Sequence, residues 1–116
     1  MEDKPINWIG SALEDLCSFP EEARRKAGFE LRKIQQGEDP TDFKPMSVVG
    51  KGVQEIRIRT EDAYRIFYVA KFAESIYVLH SFQKKNQKTA KGDIELGQKR
   101  YEQMLKEREQ IDKENN

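Results

Sequence analysis

The sequence predicts a single α+β domain, because helical and strand patterns fall in separate stretches of a short chain. Two helical patterns come before residue 37, three strand patterns lie between residues 53 and 82, and a further helical pattern follows them. The connections between the strand patterns, TED and KFAE, are short, which favours antiparallel hairpins. The expected core is therefore a small, mainly antiparallel sheet accompanied by helices.

The N-terminal part is expected to contain a short strand and two helices. Residues 6–9 give the strand pattern, and residues 11–17 give a short helix. Ser18-Phe19-Pro20-Glu21 fits a capping box for a second helix that runs to about Gln36. The apolar stripe of this second helix consists of Phe19, Ala23, Ala27, Leu31 and Ile34.

Three strand patterns follow residues 38–52, which are interpreted as a loop because they hold two prolines and two glycines. Residues 53–59 alternate between apolar and polar side chains, as expected of a half-buried strand. Residues 64–70 are apolar on both faces apart from one arginine, which is typical of a central strand. Residues 75–82 form the third strand of this antiparallel meander.

The first hairpin brings three arginines to one face of the predicted sheet. If Ile56 and Ile58 face the core, a three-residue turn puts Arg65 on the same side as Arg57 and Arg59. The third strand leaves two alternatives for what meets the arginines. One side of that strand carries His80, Phe82 and Lys84, and the other carries Ser81 and Lys85.

The C-terminal part turns helical near Asp93. Apolar or small residues recur there at three- and four-residue spacing, as in an amphipathic helix. Residues 107–116 read EREQIDKENN and are strongly polar, so a frayed or disordered tail is expected there. The predicted domain therefore covers residues 1–106.

Charge is distributed unevenly along a chain whose formal net charge is zero. Residues 46–100 carry eleven Lys and Arg against six Asp and Glu, a net charge of +5. Within them, residues 78–91 read VLHSFQKKNQKTAK, with one His, four Lys and no acidic residue. Such a cluster is suited to binding a phosphodiester backbone.

Composition excludes several other classes of protein. Cys17 is the only cysteine, so no intrachain disulfide can form. Paired Cys/His ligands and a Gly-rich phosphate loop are both lacking, so neither a metal nor a small-molecule cofactor is expected. The apolar runs fall far short of the ~20 residues that span a bilayer, and residues 1–10 contain no hydrophobic signal segment. We therefore expect a cytoplasmic protein with no membrane contact.

Several motifs occur in a fixed order over residues 5–105. Glu55-Ile56-Arg57 is followed by YRIFY at residues 64–68 and LHSFQKKNQKTAK at residues 79–91, and LRKIQQGEDP and a GKG loop precede them. In this order they resemble the RelE/HigB toxin superfamily, specifically its phage-derived, HigB-like branch.

This resemblance implies a fold, an activity and partners. The implied fold is a compact α+β domain with two N-terminal helices packed on one face of the sheet and a C-terminal helix. The implied activity is that of an mRNA endoribonuclease, usually acting in the ribosomal decoding site. The implied partners are mRNA, the ribosome and a small cognate helix-turn-helix antitoxin.

The residues are compatible with RNA cleavage that uses the 2′-hydroxyl as nucleophile and needs no metal. The reaction requires cations at the phosphorane, a group that accepts the 2′-proton and an acid for the leaving oxygen. Arg57 and Arg65 are predicted to clamp the phosphate, because a guanidinium donates bidentate hydrogen bonds. The candidates for proton transfer are Lys84, Lys85 and His80. Neighbouring positive charges are expected to lower the pKa of one of the two lysines, and the unperturbed pKa of histidine lies near neutrality.

Further residues are predicted to bind RNA, and each has a structural alternative. Arg59, Lys88 and Lys91 are expected to contact the RNA backbone. Phe82 can stack on a base or cap the core, and His80 can be a hydrogen-bonded packing residue. Glu55 can take part directly or pair with an arginine across the sheet.

Two other functions remain open on the same fold. One is a non-enzymatic toxin like the gyrase-inhibiting ParE proteins, whose arginine face would bind protein. The other is an inactive binding module.

Overall fold

The fold is built on a five-stranded mixed sheet, which a computed structural model describes over residues 3–115. Across the sheet the strands lie in the order β1-β5-β4-β3-β2; β1 is parallel to β5 and every other pair is antiparallel. The elements in chain order are β1 (Ile6–Trp8), α1 (Ala12–Cys17), α2 (Glu21–Gln35), β2 (Phe43–Pro45), β3 (Val53–Arg59), β4 (Ala63–Val69), β5 (Ile76–Lys84) and α3 (Lys91–Asn115).

The sheet separates two apolar cores, one under each set of helices. Helices α1 and α2 cover the face that carries Ile56 and Ile66, and the predicted stripe of α2 is buried there. Helix α3 covers part of the opposite face, where Met104 packs with Phe67 and Leu79. The predicted α+β architecture, with two N-terminal helices on one face and a C-terminal helix, is confirmed.

The register of β3 and β4 confirms the predicted hairpin. Residues 60–62 form the turn, Ile56 lies opposite Ile66, and Arg57 lies opposite Arg65. Because side chains alternate between the faces of a strand, this register puts the isoleucines in the core under α2 and the arginines on the other face.

A register shift in β5 decides what lies beside the arginines. Phe67 pairs with His80, but the next residue, Tyr68, pairs with Val78, so Leu79 has no partner of its own in the ladder. Beyond this shift Phe82 lies opposite Arg65. Of the two alternatives for β5, the structure therefore places His80, Phe82 and Lys84 on the arginine side.

Two local predictions are wrong. Residues 38–52 are not all loop, because they contain β2, a three-residue exposed edge strand whose Pro45 and short length hid it from pattern analysis. The capping box does not form either. Pro20, with ψ of 152°, occupies the N-cap position of α2, and the Ser18 hydroxyl instead donates to the carbonyl oxygen of Asp15 at the end of α1.

Helix α3 begins two residues earlier than predicted and continues to Asn115. In its distal half the Arg108 guanidinium lies 3.4 Å from the Phe72 ring centre and its Nε donates to Glu74 at 2.7 Å. This bond holds the pKa of Glu74 down, at about 2. The domain boundary at residue 106 stays a prediction. No helix in residues 3–115 combines the length and apolar character needed to cross a membrane.

Gly97 allows α3 to approach the sheet closely. A Cβ atom at this position would lie 2.9 Å from Cδ2 of Phe67 and 3.0 Å from Cγ1 of Val49. Both neighbours belong to the core under α3, so they have little room to move.

We expect Gly97→Ala to lower the free energy of unfolding by about 1–3 kcal/mol, because the added methyl group overpacks this core. Gly28→Ala is the matched control, since no atom lies within 4 Å of its new Cβ and the residue is exposed on α2. That control should gain up to about 1 kcal/mol from helix propensity. Urea denaturation of the two variants measures both changes in the free energy of unfolding. An equal increase in both variants would contradict the close packing at Gly97.

Candidate functional site

Three rows of side chains cross the sheet on the face that carries the arginines. The first row is Arg59, Ala63 and Lys84, and the second is Arg57, Arg65 and Phe82. The third row is Lys44, Glu55, Phe67 and His80. These three rows therefore contain five Lys and Arg side chains and one carboxylate.

A cavity of about 430 Å³ opens over the first two rows, and we call it the basic cavity. Ala63 lies between Arg59 and Lys84, so its small side chain leaves space between two long cationic ones. The lining residues are Arg57, Arg59, Ala63, Arg65, Lys84, Lys85, Asn86 and Gln87. Four of the five predicted catalytic residues, and one predicted RNA-binding residue, thus meet at one place.

Arg65 is the buried member of the basic cavity, with 5% of its surface exposed. Its Nε lies 3.6 Å from Oε1 of Glu55, and its Nη1 donates to the carbonyl oxygen of Tyr64 at 2.9 Å. Burial lowers the pKa of Arg65, and the charge of Glu55 opposes this shift. The expectation that Glu55 pairs with an arginine across the sheet is confirmed.

Lys84 lies at the end of β5, where the basic cavity lowers its pKa. The largest cause is partial desolvation, followed by repulsion from Arg65, while Glu55 acts in the opposite direction. Like charges on facing strands cost stability. Their accumulation here is unexpected for a purely structural surface and is suited to an anionic ligand.

His80 is buried and does not line the basic cavity. Its Nε2 lies 2.7 Å from Oδ1 of Asp93 in the first turn of α3, and a carboxylate can only accept there, so Nε2 carries the proton. The other ring nitrogen, Nδ1, has no hydrogen-bond partner among the described residues. Burial lowers the pKa of His80, and Asp93 opposes this.

The remaining predicted RNA-binding residues lie in different surroundings. Phe82 belongs to the core under α3, where its ring stacks on His80 at 4.6 Å and meets Phe67 edge-on at 5.0 Å. Lys88 is exposed in the loop between β5 and α3. Lys91 is exposed at the start of α3 and pairs with Glu95. The structure does not bring these three residues into the basic cavity.

Sequence reasoning missed three contributors to this face. Lys44 escaped because β2 was not predicted, and Asn86 and Gln87 lie in a loop without periodicity. Asp93 was noted only as a helix start, since nothing in the spacing indicates that it reaches His80. Within residues 3–115, no group of three or more His, Cys, Asp or Glu side chains is arranged to hold a metal ion.

The chain is a small α+β domain whose sheet presents a cationic cavity on one face. The model of a family described as phage-derived protein Gp49-like (DUF891) matches residues 14–102. This is well over half of the chain, which therefore belongs to that family. The family belongs to the clan of RelE/HigB-like toxins, and its members are generally toxin-like proteins of toxin–antitoxin systems. No curated protein matches the chain.

The family match agrees with the superfamily that the motifs indicated, since the family belongs to its clan. The HigB-like branch, the ribonuclease activity and the roles of individual residues are not tested by it and stay predictions.

We expect His80, the only histidine of the chain, to titrate below the unperturbed pKa of about 6.5. Since the folded state then binds fewer protons than the unfolded state, stability that is present above pH 6.5 is lost as the pH falls through the folded pKa. The single imidazole Hε1 signal in NMR spectra reports the midpoint. Asp93→Asn should move the midpoint lower still, and a midpoint above 6.5 in the unmodified protein would contradict the burial argument.

Proposed function

We propose that this protein is the toxin of a type II toxin–antitoxin system, of the HigB-like branch, and that it cleaves mRNA in the ribosomal decoding site. The observation that carries the proposal is the meeting of Arg57, Arg65 and Lys84 in one cavity of about 430 Å³. Two phosphate-binding arginines, together with Lys84 and the neighbouring Lys85 as candidates for the base and the acid, supply the groups that metal-independent cleavage of RNA requires.

In this mechanism the 2′-oxygen of the substrate attacks the adjacent phosphorus, and the bond to the 5′-oxygen of the next nucleotide breaks. In the transition state between these two events, negative charge accumulates on the non-bridging oxygens of the phosphate. Arg57 and Arg65 stabilise that charge, because each can donate two hydrogen bonds and stays protonated throughout. Arg57 is an exposed side chain of β3, and Arg65 is a buried side chain of β4.

Lys84 is the best-placed group for proton transfer. Its lowered pKa increases the neutral fraction that can accept the proton of the 2′-hydroxyl. Lys85 lines the same cavity and, as an ammonium, can donate a proton to the leaving 5′-oxygen. His80 is the second candidate for this chemistry. It could act only through Nδ1, because Nε2 is bound to Asp93.

The remaining cations are proposed to hold RNA rather than to react with it. Arg59 lines the basic cavity, and Lys88 and Lys91 extend the positive surface along the loop and into α3. Phe82 is proposed to act by supporting the arginine row from the core. A cognate helix-turn-helix antitoxin is the expected protein partner.

We expect expression of the chain alone to arrest growth and to produce mRNA cut within codons. Lys84→Ala and Arg57→Ala should each reduce cleavage by about 10²-fold, a loss typical of removing one group that stabilises the transition state. Both side chains are at least partly exposed, so the variants should keep the fold. Mapping mRNA 5′ ends after brief induction is the measurement.

Arg24→Ala is the matched control, because this arginine is exposed on α2 and does not line the basic cavity. It should leave cleavage unchanged. Growth arrest with intact mRNA would refute the nuclease and favour a ParE-like toxin, which supercoiling assays with gyrase would then identify. Normal growth with folded, abundant protein would indicate an inactive binding module.

A further inference from the structure

Glu55 is the most deeply buried charged residue of the described chain, with none of its surface exposed. Neither oxygen of its carboxylate has a hydrogen-bond partner among the described residues. Burying an ionised carboxylate costs several kcal/mol unless other charges compensate for the lost hydration. A residue kept at such cost, beside a predicted active site, calls for an explanation beyond packing.

The compensation for the buried carboxylate comes from two cations. Oε1 of Glu55 lies 3.6 Å from Nε of Arg65 and 3.9 Å from Nζ of Lys44. Both distances allow charge attraction but exceed a good hydrogen bond. Glu55 therefore acts on Arg65 through its charge and its fixed position.

The surroundings of the Arg65 guanidinium are different on each of its sides. Nε faces Glu55, and Nη1 donates to the carbonyl oxygen of Tyr64. Nη2 makes no hydrogen bond with the described residues, and Arg65 lines the basic cavity. Nη1 is thus held by a hydrogen bond and Nε by the charge of Glu55 alone, whereas Nη2 is left for a ligand.

We propose that Glu55 is a positioning residue, whose buried charge holds Arg65 on the floor of the basic cavity so that Nη2 points to the bound phosphate. This inference rests on the proposed function, since the phosphate is that of the scissile RNA. Glu55 itself does not touch the substrate, because the side chain is fully covered.

The two possible roles of Glu55, as a negative charge near the cavity and as a positioning residue, predict different results for Glu55→Gln. Removing a negative charge next to the basic cavity should strengthen RNA binding, as Glu61→Gln should in the exposed turn between β3 and β4. A positioning role predicts instead that the rate at saturating RNA falls. A displacement of about 1 Å at a catalytic group can cost about 10²-fold, so we expect a fall of at least about tenfold in kcat with little change or a decrease in KM.

A double-mutant cycle tests whether Glu55 acts through Arg65. The variants are Glu55→Gln, Arg65→Lys and both together, with Glu61→Gln as the matched control and thermal denaturation as the measure of folding. Arg65→Lys keeps a positive charge beside Glu55, so it avoids an unpaired buried carboxylate. We expect Glu55→Gln to change kcat by less than about twofold in the Arg65→Lys background.

Equal losses of kcat in both backgrounds, or losses that follow the melting temperature alone, would overturn the inference. If Glu55→Gln does not fold, Glu55→Asp takes its place in the cycle, because it keeps the charge but withdraws it from Arg65.

Failure of the proposed function is separated from failure of the inference by a binding measurement. A short single-stranded RNA with 2′-O-methyl groups cannot be cleaved, and its affinity is measured over the same cycle. If the unmodified protein cuts no RNA, the inference is still supported by a non-additive effect of Glu55→Gln and Arg65→Lys on this affinity. It is overturned if the two effects add or if the affinity does not depend on Arg65.

Discussion

The pairing of β3 with β4 is the constraint on which the rest of the structure depends. Ile56 opposite Ile66 and Arg57 opposite Arg65 follow from one register. Because the side-chain period of a strand is two residues, a slip by one residue would expose the isoleucines and bury the arginines. The apolar core under α1 and α2 therefore fixes the basic face on the other side of the sheet, and folding and the candidate site share one determinant.

This arrangement carries an electrostatic cost that the structure offsets locally. Arg57 and Arg65 face each other directly, and like charges on facing strands repel. The carboxylate of Glu55, buried in the next row, lies within ion-pairing distance of both Arg65 and Lys44. The result is a face with one anchored arginine, two exposed ones and a lysine of lowered pKa, which is suited to an anionic ligand.

Helix α3 completes the site without entering the basic cavity. It covers the apolar part of the same face and is tied to β5 by the contact between Asp93 and His80. The two residues lie in the elements that flank the loop of residues 85–90, and Lys85 in this loop lines the basic cavity. A single face of the sheet therefore forms the core under α3 and the basic cavity beyond it.

The sequence alone determined the α+β class, the arginine side of the hairpin and the superfamily, because strand alternation, turn length and ordered motifs are local signals. It determined neither β2, whose three exposed residues lack periodicity, nor the side of β5 that meets the arginines, which depends on a register shift at Leu79. The contacts of Glu55 with Lys44 and of His80 with Asp93 join residues from different elements. Only tertiary packing decides such contacts, because they depend on the relative positions of whole strands and helices and not on the spacing of residues along the chain.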